Sequence, residues 1–306
     1  METVRDLVSP KQVARAIGVS ESSLKRWCDQ GLIQTVRTAG GHRKMQISEV
    51  LRFIREKQQM LVSPEVLNLP PASDSAELGL SRGRDLLVAA LLAGNESLAN
   101  QIVINLYLAH HPMSLICDEV IAAAFHEIGD RWECREADPY QERRGCEIAL
   151  RVLFELRRIQ PAPEQSRLAL GGTIEGDNYA IPSAMAELIL REVGWNATSL
   201  GTSLPIDSLV RAVTDHRPPL FWVSISYILP SLDFVNEFAR LSQACTASGT
   251  ALIVGGRALT AELRQKMKYS SYCDTMQHLE AIARILPHSP RRGADGATNA
   301  PEPGQK

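Results

Sequence analysis

The feature that most constrains the fold is an alternation of short apolar runs with amphipathic stretches over residues 165–286. The apolar runs are RLALGGT, NATSLG, LFWVSIS and TALIVGG. Strands that alternate with helices predict a parallel sheet with crossover helices. Open sheets of this kind bind ligands beyond the carboxyl ends of their strands. The loop IEGDNYA, residues 174–180, directly follows the first run and is therefore a candidate ligand loop.

The rest of the 306-residue chain divides into four further blocks. The pattern of residues 1–60 predicts short helices around one hairpin. Residues 61–80 contain three prolines and three serines, which is typical of a linker. Residues 81–160 carry apolar residues at three- and four-residue spacing, which predicts a helical block. Residues 287–306 are rich in Pro, Gly, Ala and Arg, and we expect them to be disordered.

Composition favours a soluble, cytoplasmic protein with no membrane partner. The segment METVRDLVSPKQ lacks the apolar core of a signal peptide. No apolar run reaches the ~18 residues that a membrane-spanning helix requires. The six cysteines include no C-x-x-C pair, which argues against a structural zinc site and against a disulfide framework.

Charge is distributed unevenly, although the formal net charge is only -2. Residues 1–63 carry eleven Lys or Arg and six Asp or Glu, a net of +5, so the remainder of the chain carries -7. A basic N-terminal block on an acidic remainder indicates a polyanionic partner for that block.

The N-terminal block contains two helix starts within VSPKQVARAIGVSESSLKRWCDQGLI. Ser9 can cap a first helix with Pro10 in its first turn, and Ser20 can cap a second helix. Gly18 lies in the tight turn between them, where a positive φ is allowed. The spacing predicts a helix-turn-helix. The second helix carries side chains suited to phosphate and base-edge contacts, namely Ser22, Ser23, Lys25 and Arg26.

A glycine-containing hairpin follows the two helices. The runs QTVR and HRKMQI are strand-like, and TAGG between them supplies the glycines of a tight turn. Its basic residues are Arg37, His42, Arg43 and Lys44. The order helix, turn, helix, Gly-Gly hairpin, helix resembles the winged DNA-binding domain of the MerR family over residues 7–58. The resemblance implies that the second helix enters the major groove of a double-stranded DNA operator while the wing contacts the backbone. The alternative is a wing that only packs against another domain.

The helical block contains FHEIGDRWECREADPYQERRGCEIA, in which Glu142 follows Trp132 by ten positions and Arg143 comes next. A four-helix bundle with such a tryptophan, ahead of an α/β sheet, resembles the helical cap of cobalamin-binding modules. With the winged block in front, the chain resembles the CarH/LitR group of light-responsive, adenosylcobalamin-dependent repressors. That group has a tryptophan, nine residues and then Glu-His, so Arg143 occupies the position of the histidine.

The α/β block continues the resemblance with changed residues. The group's signature is Asp-x-His-x-x-Gly, then Ser-x-Leu or Ser-x-Thr, then Gly-Gly. The corresponding residues here are Glu175, Asp177, Ala180, Ser224, Ser226, Gly255 and Gly256. The resemblance implies that the histidine of the first motif ligates cobalt and that the acid before it orients the ring.

The departures remove both axial histidines of the group. Asp177 offers hard oxygen where imidazole is expected, and Ala180 adds a methyl group in place of the glycine. Arg143 cannot be deprotonated and so cannot ligate a metal. We therefore expect a vestigial cofactor site that holds no metal and no cobalamin. Compensation by another histidine is the alternative, with four candidates: His110, His111, His126 and His216.

The combined prediction is a multidomain chain. It has an N-terminal winged helix-turn-helix of MerR type, a middle four-helix bundle and a C-terminal α/β Rossmann-like (flavodoxin-like) parallel-sheet domain. It predicts a DNA-binding transcriptional regulator that is not an enzyme, works as a dimer or tetramer and does not use the cofactor. One alternative is a regulator that still binds cobalamin or another tetrapyrrole without a histidine. A corrinoid enzyme is the poorest fit, because the chain has no room for a catalytic barrel beside its DNA-binding block.

Overall fold

The computed structural model describes residues 7–38, 40–71, 79–134, 138–161 and 167–286, without the side chains of Trp132 and Glu133. Part of the predicted linker, residues 72–78, lies outside the described residues, as does the predicted disordered tail.

The N-terminal part, residues 7–71 and called the head below, is built from short helices and a small antiparallel sheet. Its elements are β1 (Leu7–Val8), α1 (Pro10–Ala16), α2 (Glu21–Asp29), β2 (Val36–Arg37), β3 (Arg43–Gln46) and α3 (Ile47–Glu56). The strand order is β1-β3-β2. The predicted hairpin is present, but its strands are shorter than the runs QTVR and HRKMQI, and β1 was not expected.

Both predicted helix caps are confirmed. The Ser9 hydroxyl accepts a hydrogen bond from the Gln12 N–H, and the Gln12 side chain accepts one from the Ser9 N–H, which completes a capping box. The Ser20 hydroxyl accepts a hydrogen bond from the Ser23 N–H at the start of α2. Gly18 has a φ of 69° in the turn between the helices, as the sequence predicts.

Residues 61–71 of the predicted linker pack against the rest of the head. The N–H groups of Val62 and Ser63 donate to the Ala16 carbonyl at 2.7 and 3.0 Å. A single 3₁₀ turn, Pro64–Leu67, follows, and Leu67 is fully buried. Proline and serine content predicted a linker here, but the apolar residues between them bury themselves against α1.

The helical block consists of helices joined by short connections. Its elements are α4 (Leu80–Ala93), α5 (Glu96–Leu108), α6 (Met113–Leu115), a π-helical segment (Ile116–Ala122), α7 (Ala123–Glu133) and α8 (Pro139–Ile159). Helix α4 lies at the centre and packs against α5, α7 and α8. The helical character predicted for residues 81–160 is confirmed over the part of that range that the structure describes.

The C-terminal domain is a five-stranded parallel sheet with helices on both faces. Its elements are β4 (Leu168–Thr173), α9 (Ala180–Glu192), β5 (Asn196–Ser199), α10 (Ile206–His216), β6 (Leu220–Ser224), α11 (Phe234–Ser248), β7 (Ala251–Gly255), α12 (Ala261–Gln265), β8 (Ser271–Cys273) and α13 (Met276–Ile285). The strand order is β5-β4-β6-β7-β8. This is the 2-1-3-4-5 order of flavodoxin-like sheets, in which the direction of winding reverses between β4 and β6. The apolar runs predicted four of the five strands, and β8 was missed.

The two faces of the sheet have separate environments. Helices α10 and α11 pack on one face around their own apolar cluster. Helices α9 and α13 pack on the other face, and α6 and α8 of the helical block lie against them. A contiguous apolar cluster runs from the head through the helical block to this second face. The helical block and the α/β domain, residues 79–286, are called the body below.

Among the described helices, none combines the length and the apolar character that crossing a bilayer would require.

Candidate functional site

The head presents basic side chains on α2 and on the β2–β3 hairpin. Lys25 and Arg26 are exposed on α2, and Arg37 and His42 are exposed on the hairpin. Two further predicted residues, Arg43 and Lys44, are half-buried. Positive charge on a helix and on the hairpin that follows it is the electrostatic pattern of a DNA-contact surface.

An ion pair joins the hairpin to α2. A guanidinium nitrogen of Arg43 lies 2.8 Å from a carboxylate oxygen of Asp29, at the end of α2. This hydrogen bond raises the pKa of the Arg43 guanidinium, which is fully charged in any case. Sequence reasoning assigned Arg43 to DNA and missed Asp29, because an acid 14 positions away gives no local signal.

The two predicted serines of α2 take part in its cap. The Ser22 hydroxyl lies 2.8 Å from the Ser20 hydroxyl, and the Ser23 hydroxyl lies 3.0 Å from it. Ser22 is exposed and Ser23 is half-buried. Both therefore lie at the amino end of α2, where N–H groups and the helix dipole favour a phosphate.

The cofactor residues predicted on the α/β block lie at the carboxyl edge of the sheet, around the point where its winding reverses. Residues 174–179 connect β4 to α9, and residues 225–233 connect β6 to α11. Because β4 and β6 are adjacent and parallel, both connections emerge at the same carboxyl edge. This is the position at which open α/β sheets bind ligands.

Asp177 is fully buried at this edge, and both of its carboxylate oxygens accept hydrogen bonds from the backbone. One oxygen accepts from the Tyr179 N–H at 3.0 Å. The other accepts from the Ser226 N–H at 2.6 Å and the Tyr227 N–H at 3.2 Å. Hydrogen bonds to an ionised acceptor are among the stronger ones in proteins. The Asp177 carboxylate therefore ties the loop after β4 to the loop after β6.

The same loop is also tied to the connection after β5. The Asp177 carbonyl accepts from the Ser203 N–H at 3.0 Å and from the Thr173 hydroxyl. The Ser203 hydroxyl in turn accepts from the Gly176 N–H at 3.0 Å. Sequence reasoning missed Thr173 and Ser203, since neither belongs to a motif.

The remaining residues of the predicted motifs also lie at this edge, where neighbouring backbone segments pack closely against one another. Ser224 ends β6 and is buried, as is Ser226. Gly255 ends β7, and Gly256 after it has a φ of 116°. A Cβ atom on Gly256 would lie 2.3 Å from the Ile225 carbonyl oxygen. A Cβ atom on Gly255 would lie 2.6 Å from the Cys273 carbonyl oxygen, so backbone packing accounts for both glycines.

The rim of the edge carries an aromatic and cationic contact that the sequence did not indicate. The Arg257 guanidinium lies 4.8 Å from the centre of the Tyr179 ring and donates to the Tyr179 hydroxyl at 2.9 Å. Glu175 is exposed on the loop before α9, and Ala180 is half-buried as the first residue of α9.

Trp222 fills the space between the sheet and α9. Its indole N–H donates to the Ser183 hydroxyl at 3.1 Å, and both residues are buried. A Cβ atom on Gly171 would lie 2.1 Å from the indole ring, so the ring packs directly against the backbone of β4. Any ligand group that entered between β4 and α9 would have to displace this side chain.

The residues predicted on the helical block are not linked to this edge. Arg143 is exposed and Glu142 is half-buried on α8. Within the described residues, no hydrogen bond or ion pair joins either side chain to the Asp177 loop. The Trp132 side chain lies outside the described residues.

The four candidate histidines do not assemble a metal site. His126 and His216 are exposed, and His110 and His111 are half-buried at the end of α5. Burial, followed by the nearby Arg55, lowers the pKa of His110. In the parts of the chain that the structure describes, no three His, Cys, Asp or Glu side chains come together to hold a metal ion.

The residues at the carboxyl edge do not fit a corrinoid held by a lower axial ligand. Such a ligand must present a free donor atom on the outer side of the loop. The Asp177 carboxylate has no exposed surface, and its two oxygens already accept three backbone N–H groups. Carboxylate oxygen is also a poor donor for low-spin cobalt.

Two domain families match separate parts of the chain. Residues 7–58 match the helix-turn-helix domain, and residues 84–156 match the B12 binding domain. The chain therefore carries a helix-turn-helix domain, a helical domain of B12-binding type and a parallel α/β domain.

Two curated relatives share parts of this arrangement. The chain is 27% identical over 187 residues to the HTH-type transcriptional repressor CarH of Myxococcus xanthus. The matched segment covers 61% of this chain and 62% of that protein. The chain is also 26% identical over 117 residues to the trimethylamine corrinoid protein of Methanosarcina barkeri, which covers 37% and 52%. The chain thus matches less than two thirds of the length of either relative.

Among solved structures, the chain resembles the monomethylamine corrinoid protein of Methanosarcina barkeri. The TM-score is 0.56 at 17% identity, and the match covers 68% of this chain and 100% of that one. This likeness supports the fold alone.

Proposed function

We propose that this chain is a DNA-binding transcriptional regulator of MerR type, whose cobalamin-binding-like body works without the cofactor. The observation that carries the first half is the exposed basic surface of α2 and the hairpin, within a segment that matches the helix-turn-helix domain. Similarity to a named transcriptional repressor supports the same assignment.

In this proposal, α2 enters the major groove and the β2–β3 hairpin acts as the wing. Lys25 and Arg26 contact phosphates or base edges, and Arg37 and Arg43 contact the backbone beside the groove. Each phosphate that a lysine or arginine neutralises releases counterions, so affinity falls steeply with salt. A dimer or tetramer formed through the body places several heads on a repeated or palindromic operator.

The DNA surface is tested by electrophoretic shift assays on the full chain at several salt concentrations. We expect Lys25→Ala and Arg43→Ala to weaken binding to every DNA sequence and to lower the slope of log affinity against log salt by about 1 each. Lys25→Ala is the cleaner variant, because Arg43→Ala also removes the pair with Asp29.

Lys268→Ala is the matched control, because Lys268 is an exposed lysine of the α/β domain. Its affinity and salt slope should equal those of the parent protein. Unchanged affinity and slope in both head variants would contradict the assignment of α2 and the hairpin to DNA.

The second half of the proposal rests on Asp177. Both oxygens of its buried carboxylate accept hydrogen bonds from backbone N–H groups. Trp222 occupies the space between β4 and α9. The body then serves assembly and positions the heads, and no step of its action passes through a corrinoid.

A visible spectrum tests this half. The full chain is expressed with adenosylcobalamin present, passed over gel filtration in the dark, and scanned for a corrinoid chromophore. We expect no stoichiometric absorption, and no change of oligomeric state after illumination. We expect the same of Asp177→His, because an imidazole cannot accept the three N–H groups that the carboxylate accepts. A stoichiometric chromophore on the parent protein would overturn the cofactor-free proposal.

The alternative is a regulator that binds cobalamin or another tetrapyrrole without a histidine ligand. The match of residues 84–156 to the B12 binding domain favours it. A chromophore that survives Asp177→Ala would support it.

A further inference from the structure

A second feature of the molecule, remote from the carboxyl edge, joins the head to both parts of the body. Arg55 lies on the last turn of α3, and its guanidinium reaches the helical block and the α/β domain together. It donates to the carbonyls of Tyr107 and His111 near the end of α5. Its other contact is an ion pair with Glu192, the last residue of α9, at 3.1 Å.

The geometry of this junction is more constrained than that of a surface ion pair. The Arg55 guanidinium carbon lies 4.1 Å from the centre of the Tyr107 ring, and Tyr107 is buried. The side chains of Arg55 and Glu192 are only 19% and 20% exposed. A planar guanidinium that stacks on a ring and donates in several directions has little orientational freedom.

Glu192 is held from both sides. One of its oxygens accepts from Arg55, and the other accepts from the Met113 N–H at 3.1 Å, at the start of α6. Burial raises the pKa of the Glu192 carboxyl, and Arg55 acts against that rise. Removal of Arg55 would take away the cation with which this largely buried carboxylate is paired and leave only the charge of Arg284 and the Met113 N–H to act against burial, which favours opening of the junction.

We propose that Arg55 is a positioning residue that fixes the orientation of the head on the body. An oligomer assembled through the body then holds its heads at a set separation and rotation, and reads half-sites of one spacing. This inference rests on the proposed DNA-binding function. It adds to that function one specific contact. Through this contact the body determines which spacing of half-sites the heads can bind.

The chain provides a matched control on the same helix. Arg52 lies one turn earlier on α3, and its guanidinium pairs with Glu49 at 2.8 Å and Glu56 at 2.9 Å, both on α3 itself. Arg52→Ala therefore removes the same type of side chain and two ion pairs without touching the body. Any difference between Arg52→Ala and Arg55→Ala reports the junction.

The main experiment measures the affinity of the full-length protein for DNA with two half-sites, with and without five extra base pairs between them. The insertion turns one half-site by about half a helical turn. For the parent protein and Arg52→Ala we expect a loss of about tenfold or more, because simultaneous binding of two heads is lost. For Arg55→Ala we expect a loss below about threefold, since heads released from this contact can turn to follow the displaced half-site.

Two conservative variants control for the possibility that Arg55→Ala simply misfolds. Arg55→Lys keeps the charge but not the planar fork, and Glu192→Gln keeps an acceptor for the Met113 N–H but not the charge. Both should relax the dependence on spacing while circular dichroism stays that of the parent. Retention of the full tenfold penalty in folded Arg55→Ala, Arg55→Lys and Glu192→Gln would overturn the inference.

A measurement without DNA separates this inference from the proposed function. Small-angle scattering of the full chain should show a larger radius of gyration for Arg55→Ala than for Arg52→Ala. If the parent protein binds no DNA, the proposed function fails, and the scattering still decides whether Arg55 holds the head. Identical scattering curves for the two variants would contradict the role of Arg55.

Discussion

At the scale of single residues, Asp177 shows how far sequence reasoning reaches. The spacing of the motifs predicted that residue 177 lies at the carboxyl edge, and the structure places it there. The sequence did not predict what its carboxylate binds. An acid after a buried strand looks the same in a sequence whether it faces a ligand or accepts backbone N–H groups, because its partners, Ser226 and Tyr227, are about 50 residues away.

Replacement of Asp177 by alanine should destabilise the α/β domain. The substitution leaves the Tyr179, Ser226 and Tyr227 N–H groups without their acceptor, and a buried unpaired donor costs about 1–3 kcal/mol. We expect the free energy of unfolding to fall by about 3 kcal/mol in total. Urea denaturation followed by the fluorescence of Trp195 and Trp222, both buried in this domain, measures the change.

Glu175→Ala is the control for that measurement, since Glu175 is an exposed acid of the same loop. It should change the free energy of unfolding by less than about 0.5 kcal/mol. Equal midpoints for Asp177→Ala and the parent would show that the carboxylate does not tie the two loops together.

At the scale of elements, apolar runs located the strands that are buried on both faces. Strand β8 was missed because SYC contains no run of apolar residues, and its place at the edge of the sheet does not require one. Strand β1 was missed because two residues are too few to show a period. The caps at Ser9 and Ser20 were predictable because each depends on residues within three positions.

The connection after β7 provides a prediction at this scale. Gly256→Ala should destabilise the sheet, because a Cβ there meets the Ile225 backbone and because φ is 116°. We expect a loss of about 3 kcal/mol, at the upper end for a strained backbone. Thermal unfolding measured by circular dichroism gives the comparison.

Gly249→Ala separates the cost of an unfavourable positive φ from the cost of a steric clash. Gly249 also has a positive φ, 67°, but a Cβ on it would meet nothing within 4 Å. We expect it to cost only about 1 kcal/mol. Equal costs for the two substitutions would mean that the close approach of Ile225 and Gly256 is not maintained in solution.

At the scale of the whole molecule, the sequence predicted separate blocks, and the structure joins them. The contiguous apolar cluster that includes Leu24, Leu106 and Trp195 crosses the boundaries between head, helical block and α/β domain. Patterns within a window locate each block. They carry no information on contacts such as Arg55 with Glu192, which are separated by 137 positions.

The reactivity of the six cysteine thiols provides a test of packing over the whole molecule. Burial raises the pKa of five of the six thiols. The pKa rises to about 11 for Cys146 and Cys273 and to about 12 for Cys245. Burial also raises the pKa of Cys28 and Cys117. Only Cys134, at the end of α7, is exposed. Because the thiolate is the reactive species, we expect one rapidly reacting thiol per native chain and six in denaturant.

An Ellman titration at pH 8 measures the number of rapidly reacting thiols. Cys134→Ser should abolish the fast phase and leave five thiols that react only on unfolding. A native chain with three or more fast thiols would contradict the burial of the other five cysteines.

Helix α9 begins at Ala180, directly after the loop that holds Asp177, and ends at Glu192, which holds Arg55. A helix of 13 residues is about 20 Å long and bends little. Rotation of such a lever by about 3° moves its far end by about 1 Å, which is enough to break a hydrogen bond. A substitution or a partner that displaces the loop at the carboxyl edge therefore acts mechanically on the head, although the two sites share no contact.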